Sequence, residues 1–170
     1  FLSPLWGNVG FIPKIIQSFL IKWKPVFKSL RLTKITSSNS KNYKPYALNV
    51  SFEENTLTSD LRQFKRLKTL LQENPEIHSG IPTLGYLIAI LEEIRSLKNI
   101  LLPKKPITVL IAENEQITNN DAVKEFVENN PFISLIEIEN SKHEMLIEKD
   151  NIRKKVLQEI VYAFGKLSLN

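Results

Sequence analysis

The last third of the chain alternates most clearly between apolar and polar segments. ITVLIA (107–112) is an uninterrupted apolar run rich in β-branched residues, which predicts a buried strand. A polar turn, ENEQITNN (113–120), follows it, and DAVKEFVENN (121–130) is typical of a helix. The run FISLIEI (132–138) predicts a second strand, and the segment from Asn151 to Phe164 predicts a long closing helix. This order of strand, helix, strand and helix predicts an α/β unit with two parallel strands.

The first hundred residues predict helices separated by polar breaks. Residues 10–30 form an amphipathic pattern in which Pro13 suits a first helical turn and Pro25 interrupts the helix. One stripe of this segment is apolar and lysines lie largely off it, the stripe being Ile15, Ile16, Phe19, Leu20 and Trp23. At helical spacing, aromatic residues that alternate with lysines indicate a buried or lipid-facing stripe more often than a nucleic-acid surface.

Two further helices are predicted in the middle of the chain. Thr58 or Ser59 is a candidate cap for a helix that reaches Glu73, and a segment with two prolines and a glycine then interrupts the pattern. Thr83 is a candidate cap for the next helix, which extends to about Lys98 and carries its own apolar stripe. Prolines separate this helix from the first strand.

The charge is unevenly distributed along the chain. Residues 1–52 contain eight Lys or Arg and no acidic residue, whereas residues 53–170 contain fifteen basic and eighteen acidic residues. Two interpretations stay open: an ordinary lysine-rich surface, or a face that is attracted to an anionic membrane or nucleic acid. The unbroken apolar stretches are too short to span a bilayer.

Composition excludes several kinds of site. With 170 residues, 42% of them apolar, the chain is long enough for one domain with a real core. It has no cysteine, which excludes disulfides and thiolate metal sites, and its five glycines form no phosphate-binding loop. Glu148 and Asp150 follow a histidine, but we expect them to begin the last helix rather than bind a metal. We therefore expect no cofactor. The apolar start at Phe1 and the scarcity of glycine indicate a piece of something longer, without a signal peptide.

The turns after the two strands hold the candidate catalytic residues. His143 lies just past the second strand, and an imidazole there can transfer protons if an acid holds its tautomer. Glu113, Glu115 and Asp121 all lie near the end of the first strand. We favour Glu115 because it comes three residues after Ala112, which gives the turn room to reach back over the sheet. An acid after one strand and a histidine after the next is the arrangement of two triad members in an α/β-hydrolase. His78 is interpreted as a loop or surface residue.

These segments resemble the C-terminal part of lysophospholipases and monoacylglycerol lipases of the α/β-hydrolase superfamily. The likeness is carried by VLIAENEQITNN and by SKHEMLIEKDNIRKKVLQEIVYAF, in which the run from His143 to Arg153 is the more specific. LTSDLRQFKRLKTLLQENPEIHSGIPTLGYL is also similar, and FLSPLWG resembles the end of the strand before the lid. The resemblance implies an α/β fold with a helical lid in residues 1–80 and the C-terminal part of the hydrolase core in residues 81–170.

The resemblance also implies an activity and its residues. His143 matches the catalytic histidine and Glu115 the triad acid, although most of these enzymes have Asp there. The implied substrate is a lysophospholipid or a monoglyceride. The protein would then lie in the cytoplasm, contact the surface of an anionic membrane and bind no nucleic acid. The serine of a G-x-S-x-G motif is not in this sequence, so we expect a complementary N-terminal half to supply it and the chain alone to be inactive. The alternatives are an inactive remnant or split half with a binding or structural role, and a basic membrane-surface module.

Overall fold

The computed structural model describes Leu2 and residues 12–36, 43–97, 102 and 104–167. The helices are α1 (Lys14–Lys22), α2 (Lys24–Ser29), α3 (Tyr46–Asn49), α4 (Leu61–Glu73), α5 (Leu84–Leu97), α6 (Asn120–Glu128) and α7 (Asp150–Leu167). The strands are β1 (Ile107–Ala112) and β2 (Ile133–Ile138), and short 3₁₀ turns occur at Leu32–Lys34, Pro75–Ile77 and Met145–Ile147. The predicted α/β unit is therefore confirmed, with boundaries that shift by a residue or a few.

The two strands form a parallel pair in which corresponding ends lie side by side. Ile107 is opposite Ile133 and Ala112 is opposite Ile138, so the strands are in register over their whole length. Leu2 forms an isolated parallel bridge to Leu110 of β1. Since β2 occupies one edge of β1, Leu2 lies at the other edge. Leu2 is therefore paired with a strand that lies more than a hundred residues further along the chain.

Each face of the sheet is covered by one helix. Alternate residues of β1 point to opposite faces, so Val109 and Ile111 pack with Val123 of α6. Leu110 and Ala112 pack on the other face with α7, whose Val156 is fully buried. This arrangement explains why β1 is apolar without alternation: a strand covered on both faces needs apolar residues at every position.

Helix α1 packs on α5 and α2 packs on the 3₁₀ turn at Leu32–Lys34, while the apolar stripe stays largely open. The helix is interrupted near Pro25, as predicted, but the break falls at Trp23 and Pro25 itself lies in the first turn of α2. Ile15 is 80% exposed and Phe19 is 51% exposed, and the Phe19 and Trp23 rings are in contact, with centroids 5.9 Å apart. The Lys24 ammonium pairs with Glu92 of α5.

The helix caps agree only partly with the prediction. Thr83 begins α5, since its hydroxyl accepts from the Tyr86 amide at 3.1 Å. The cap of α4 was predicted wrongly: the Asp60 carboxylate accepts from the amides of the first turn, at 2.8 Å from Arg62. Thr58 is fully buried and donates its hydroxyl to the Ile147 carbonyl at 2.7 Å, so it joins two distant segments rather than capping a helix.

Candidate active site

The turns that follow β1 and β2 are joined at the carboxyl end of the sheet. The Asn140 amide donates to the Glu113 carboxylate at 2.7 Å, and the Asn114 amide donates to the Ser141 carbonyl at 2.9 Å. Asn140 has a φ of 57°, in the left-handed region that Asn tolerates better than most residues. This residue turns the chain sharply out of β2. The two polar turns are thereby held side by side, which is what brings their functional side chains together.

Glu115 lies in the first of these turns with a side chain that is 1% exposed. One of its oxygens accepts from the amides of Ile117, at 2.7 Å, and Thr118, at 3.1 Å. These bonds fix the carboxylate against its own turn. The other oxygen lies 2.8 Å from Nδ1 of His143. The carboxylate therefore has a fixed orientation and a partner for each oxygen.

His143 lies in the second turn and keeps 20% of its side chain exposed. Its Nδ1 donates to Glu115, and its backbone amide donates to the Thr56 carbonyl at 3.4 Å. An Nδ1–H held by a carboxylate leaves Nε2 as the nitrogen that accepts a proton in the neutral ring. The structure thus brings together the two side chains that the sequence singled out. Their catalytic role stays a prediction.

The electrostatics of the pair favour an ionised acid next to a basic imidazole. Burial alone would raise the pKa of Glu115, but the hydrogen bond from His143 and those from the Ile117 and Thr118 amides outweigh it and lower the pKa to about 2. The hydrogen bond to Glu115 raises the pKa of His143 above its usual 6.5, although burial opposes this. Glu144 adds a smaller electrostatic contribution in the same direction. Such a pair is able to hold a proton on the imidazole during a reaction.

The other candidate residues have different places. Glu113 is used to join the two turns, and Asp121 lies in the first turn of α6, where a negative charge complements the helix dipole. His78 is half-buried in the break after α4 and its Nε2 lies 2.7 Å from the Leu71 carbonyl. Neither Asp121 nor His78 has a recorded contact with the Glu115–His143 pair. Glu115 is therefore the acid that the geometry selects.

Sequence reasoning missed the role of Glu148. We expected it to begin the last helix, but α7 begins at Asp150 and Glu148 is fully buried beneath the histidine turn. Its carboxylate accepts from the Lys142 amide at 2.8 Å and from the Ser59 amide at 2.9 Å. The sequence did contain an indication that Glu148 belongs to the site, because it lies in the more specific run that begins at His143. Its spacing was taken as a helix start instead.

The described part of the chain offers neither a metal site nor a membrane-spanning helix. No group of three or more His, Cys, Asp or Glu side chains there is placed to hold a metal ion. No helix within the same ranges is both long and apolar enough to cross a bilayer.

The order of strands and turns, with helices on both faces, is that of the C-terminal part of an α/β-hydrolase fold. Solved structures that share it include the monoglyceride lipase from Saccharomyces cerevisiae, in a soluble variant with a substrate analogue, and the Paleococcus ferrophilus monoacylglycerol lipase. The TM-scores are 0.60 and 0.62 at 13% and 14% identity. The matches cover 90% and 95% of this chain but 49% and 57% of those chains.

One curated relative is more similar in sequence. A probable lysophospholipase L2 of Haemophilus influenzae is 34% identical over 110 residues. That match covers 64% of this chain and 35% of the relative, so the chain matches about a third of that protein's length. No protein-family model matches the chain. The expected resemblance to lysophospholipases and monoacylglycerol lipases is confirmed, and so is the α/β-hydrolase fold class.

Proposed function

We propose that this chain supplies the acid and the histidine of a serine-hydrolase triad that cleaves the acyl ester of a lysophospholipid or monoglyceride. The observation that carries the proposal is the 2.8 Å contact between Glu115 and Nδ1 of His143, at the carboxyl ends of adjacent parallel strands. The substrate class is taken from the names of the similar proteins, a lysophospholipase and two monoglyceride lipases. A complementary N-terminal half would contribute the serine and the oxyanion hole.

The chemistry follows from the orientation of the imidazole. The serine hydroxyl attacks the ester carbonyl while its proton moves to Nε2 of His143. Collapse of the tetrahedral intermediate releases the glycerol-containing alcohol, which takes that proton, and leaves an acyl-serine. Water then attacks the acyl-serine while its proton moves to Nε2 of His143. As the bond between the acyl carbon and the serine oxygen breaks, His143 returns that proton to the serine oxygen, and the fatty acid is released. Glu115 holds the tautomer and stabilises the imidazolium that forms in both steps.

A glutamate suits the acid position in this turn. It is one methylene longer than aspartate, so its carboxylate needs additional fixing to present an oxygen to the ring. The amides of Ile117 and Thr118 provide that fixing. The side chain is almost completely shielded from water, which strengthens its interaction with a charged imidazole.

The test combines the chain with a partner. Alone, with a monoglyceride or a lysophospholipid, the chain should release no fatty acid above background, since its sequence has no G-x-S-x-G serine. Addition of an N-terminal half that carries this motif should restore release. His143→Ala should then lower turnover by about a thousandfold or more. His78→Ala is the matched control, because His78 is the other histidine and has no recorded contact with the pair.

Two outcomes would contradict the proposal. Turnover of the mixture that survives His143→Ala would remove the histidine from the reaction. Strong hydrolysis by the chain alone, abolished by a serine-directed inhibitor, would show that a different serine is the nucleophile.

A further inference from the structure

Glu148 is a buried acid that the proposed reaction does not use. Glu148 is completely buried, and it takes part in none of the ion pairs among the described residues. Taking a carboxyl group out of water is costly unless hydrogen bonds compensate for the lost solvation. Here four donors do so: the amides of Lys142, Lys149 and Ser59, and the Ser59 hydroxyl. Each carboxylate oxygen accepts two hydrogen bonds, and the donors belong to three residues, Ser59, Lys142 and Lys149.

These bonds join the histidine turn to a segment that is far away in sequence. Lys142 directly precedes His143, whereas Ser59 is 89 residues from Glu148 and ends the segment before α4. The same carboxylate oxygen accepts from both amides, at 2.8 Å and 2.9 Å. Glu148 therefore links the residue before the candidate catalytic histidine to residues 55–59.

That segment also binds the histidine turn directly. The carbonyls of Thr56 and Leu57 accept from the amides of His143 and Glu144, at 3.4 Å and 2.8 Å. The Lys142 ammonium donates to the Asn55 carbonyl at 2.6 Å. Asn55 is itself buried, and its side-chain oxygen accepts from the amides of Leu57 and Thr58 at 3.0 Å each, so the segment has a fixed internal shape. The imidazole is thus carried by a turn whose backbone is held from two sides.

We propose that Glu148 is the positioning residue of His143: it clamps the histidine turn to residues 55–59 and so keeps the imidazole aligned with Glu115. The proposal rests on the proposed function, because it assigns a role in the same site. Glu148 has no recorded contact with the imidazole and acts through the Lys142 backbone. A shift of about 1 Å in a reacting group lowers turnover by about a hundredfold, so a clamp of this kind has catalytic consequences.

The test uses two variants that weaken the clamp from opposite sides. Glu148→Gln keeps the size of the side chain, but an amide offers one acceptor oxygen and a competing donor group where the carboxylate offers two acceptors. Ser59→Ala removes only the hydroxyl from the other partner. Glu139→Gln makes the same chemical change on an exposed residue of the same turn and is the matched control.

The first measurement is an NMR pH titration of the histidines in the 170-residue chain. The charged groups that raise the pKa of His143 are Glu115 and Glu144, with Glu115 the larger. In Glu148→Gln the pKa of His143 should therefore fall toward 6.5. Ser59→Ala should shift it the same way by less. Glu139→Gln should leave the pKa of His143 unchanged. A merely structural role would lower stability and leave the pKa of His143 in the folded protein where it is.

The second measurement is turnover in the mixture with the N-terminal half. Glu148→Gln should lower kcat by about tenfold or more and change KM by less than about twofold, since the clamp acts on the proton-transfer group and not on binding. The acidic limb of the pH profile should move to lower pH with the pKa of His143.

The outcomes separate this proposal from the proposed function. An unchanged pKa of His143 and unchanged kcat in Glu148→Gln would overturn the clamp while leaving the triad intact. If Glu148→Gln does not fold, Ser59→Ala decides in the same way: a lowered pKa of His143 supports the clamp and an unchanged one overturns it. A Glu115→Gln variant that leaves the pKa of His143 unchanged would instead overturn the acid–histidine pair itself.

Discussion

Replacement of Glu115 by Gln should remove a contribution to folding stability whose size and pH range follow from the structure. The pKa of this acid falls from 4.5 to about 2 on folding. One pKa unit corresponds to about 1.4 kcal/mol, so the ionised carboxylate contributes about 3 kcal/mol. Because its side chain is 1% exposed, screening by solvent is small. Glu115→Gln should lower the free energy of unfolding by up to this amount at pH 5.5.

The pH dependence of the free energy of unfolding identifies the charge of Glu115 as the cause of this loss. A group whose pKa is lowered on folding contributes fully above its unfolded value of 4.5, and the contribution is lost as the pH falls through its folded value of about 2. At pH 3.5, about 1.4 kcal/mol has been lost. His143 has a raised pKa, so its contribution is complete below 6.5 and is lost as the pH rises through its folded value. The pair therefore stabilises the fold most between pH 4.5 and 6.5.

Urea unfolding, followed by circular dichroism at pH 5.5 and pH 3.5, measures this effect. Between these two values the unmodified chain should lose about 1.4 kcal/mol more stability than Glu115→Gln, because the variant has no carboxyl group to protonate there. Glu139→Gln, an exposed acid in the next turn, should behave like the unmodified chain. Equal losses in the unmodified chain and Glu115→Gln would refute the assignment of the buried charge.

Three other predictions concern the core, the cap and the exposed stripe. Ile138→Ala should lower the free energy of unfolding by about 2–5 kcal/mol in urea, because Ile138 is 0% exposed; a loss below about 1 kcal/mol would contradict tight packing there. Asp60→Ala should cost about 1 kcal/mol, because the two amides that it caps lose their acceptor, and an unchanged unfolding midpoint would reject the cap. The chain should sediment with anionic vesicles, each nearby lysine adding about 1 kcal/mol at low salt. Salt should weaken this binding. The double substitution Phe19→Ser and Trp23→Ser should weaken it at every salt concentration. Equal binding to neutral and anionic vesicles would reject a role for the lysines.

Local pattern was sufficient to predict the framework of the last third of the chain. β1 is apolar because helices cover both of its faces, and a strand of that kind is visible in sequence without its neighbours. The parallel connection through α6 places the turns after both strands at one edge of the sheet. The apolar pattern of the two strands was therefore enough to predict that Glu115 and His143 lie close together.

The tertiary structure decided several contacts that the local pattern did not predict. Asp60 rather than Thr58 caps α4, because Thr58 is drawn into the interior to bond the Ile147 carbonyl. Lys24 pairs with Glu92, which is 68 residues away in the sequence, so only the folded chain brings the two together.

Glu148 is the clearest case of a role that only the folded chain determines. Its sequence position suggested a helix start, yet its partner Ser59 is 89 residues away. Apolar periodicity reports which face of an element is buried, since that depends on residues a few positions apart. A buried polar group depends on donors brought from distant segments, and no local pattern specifies them.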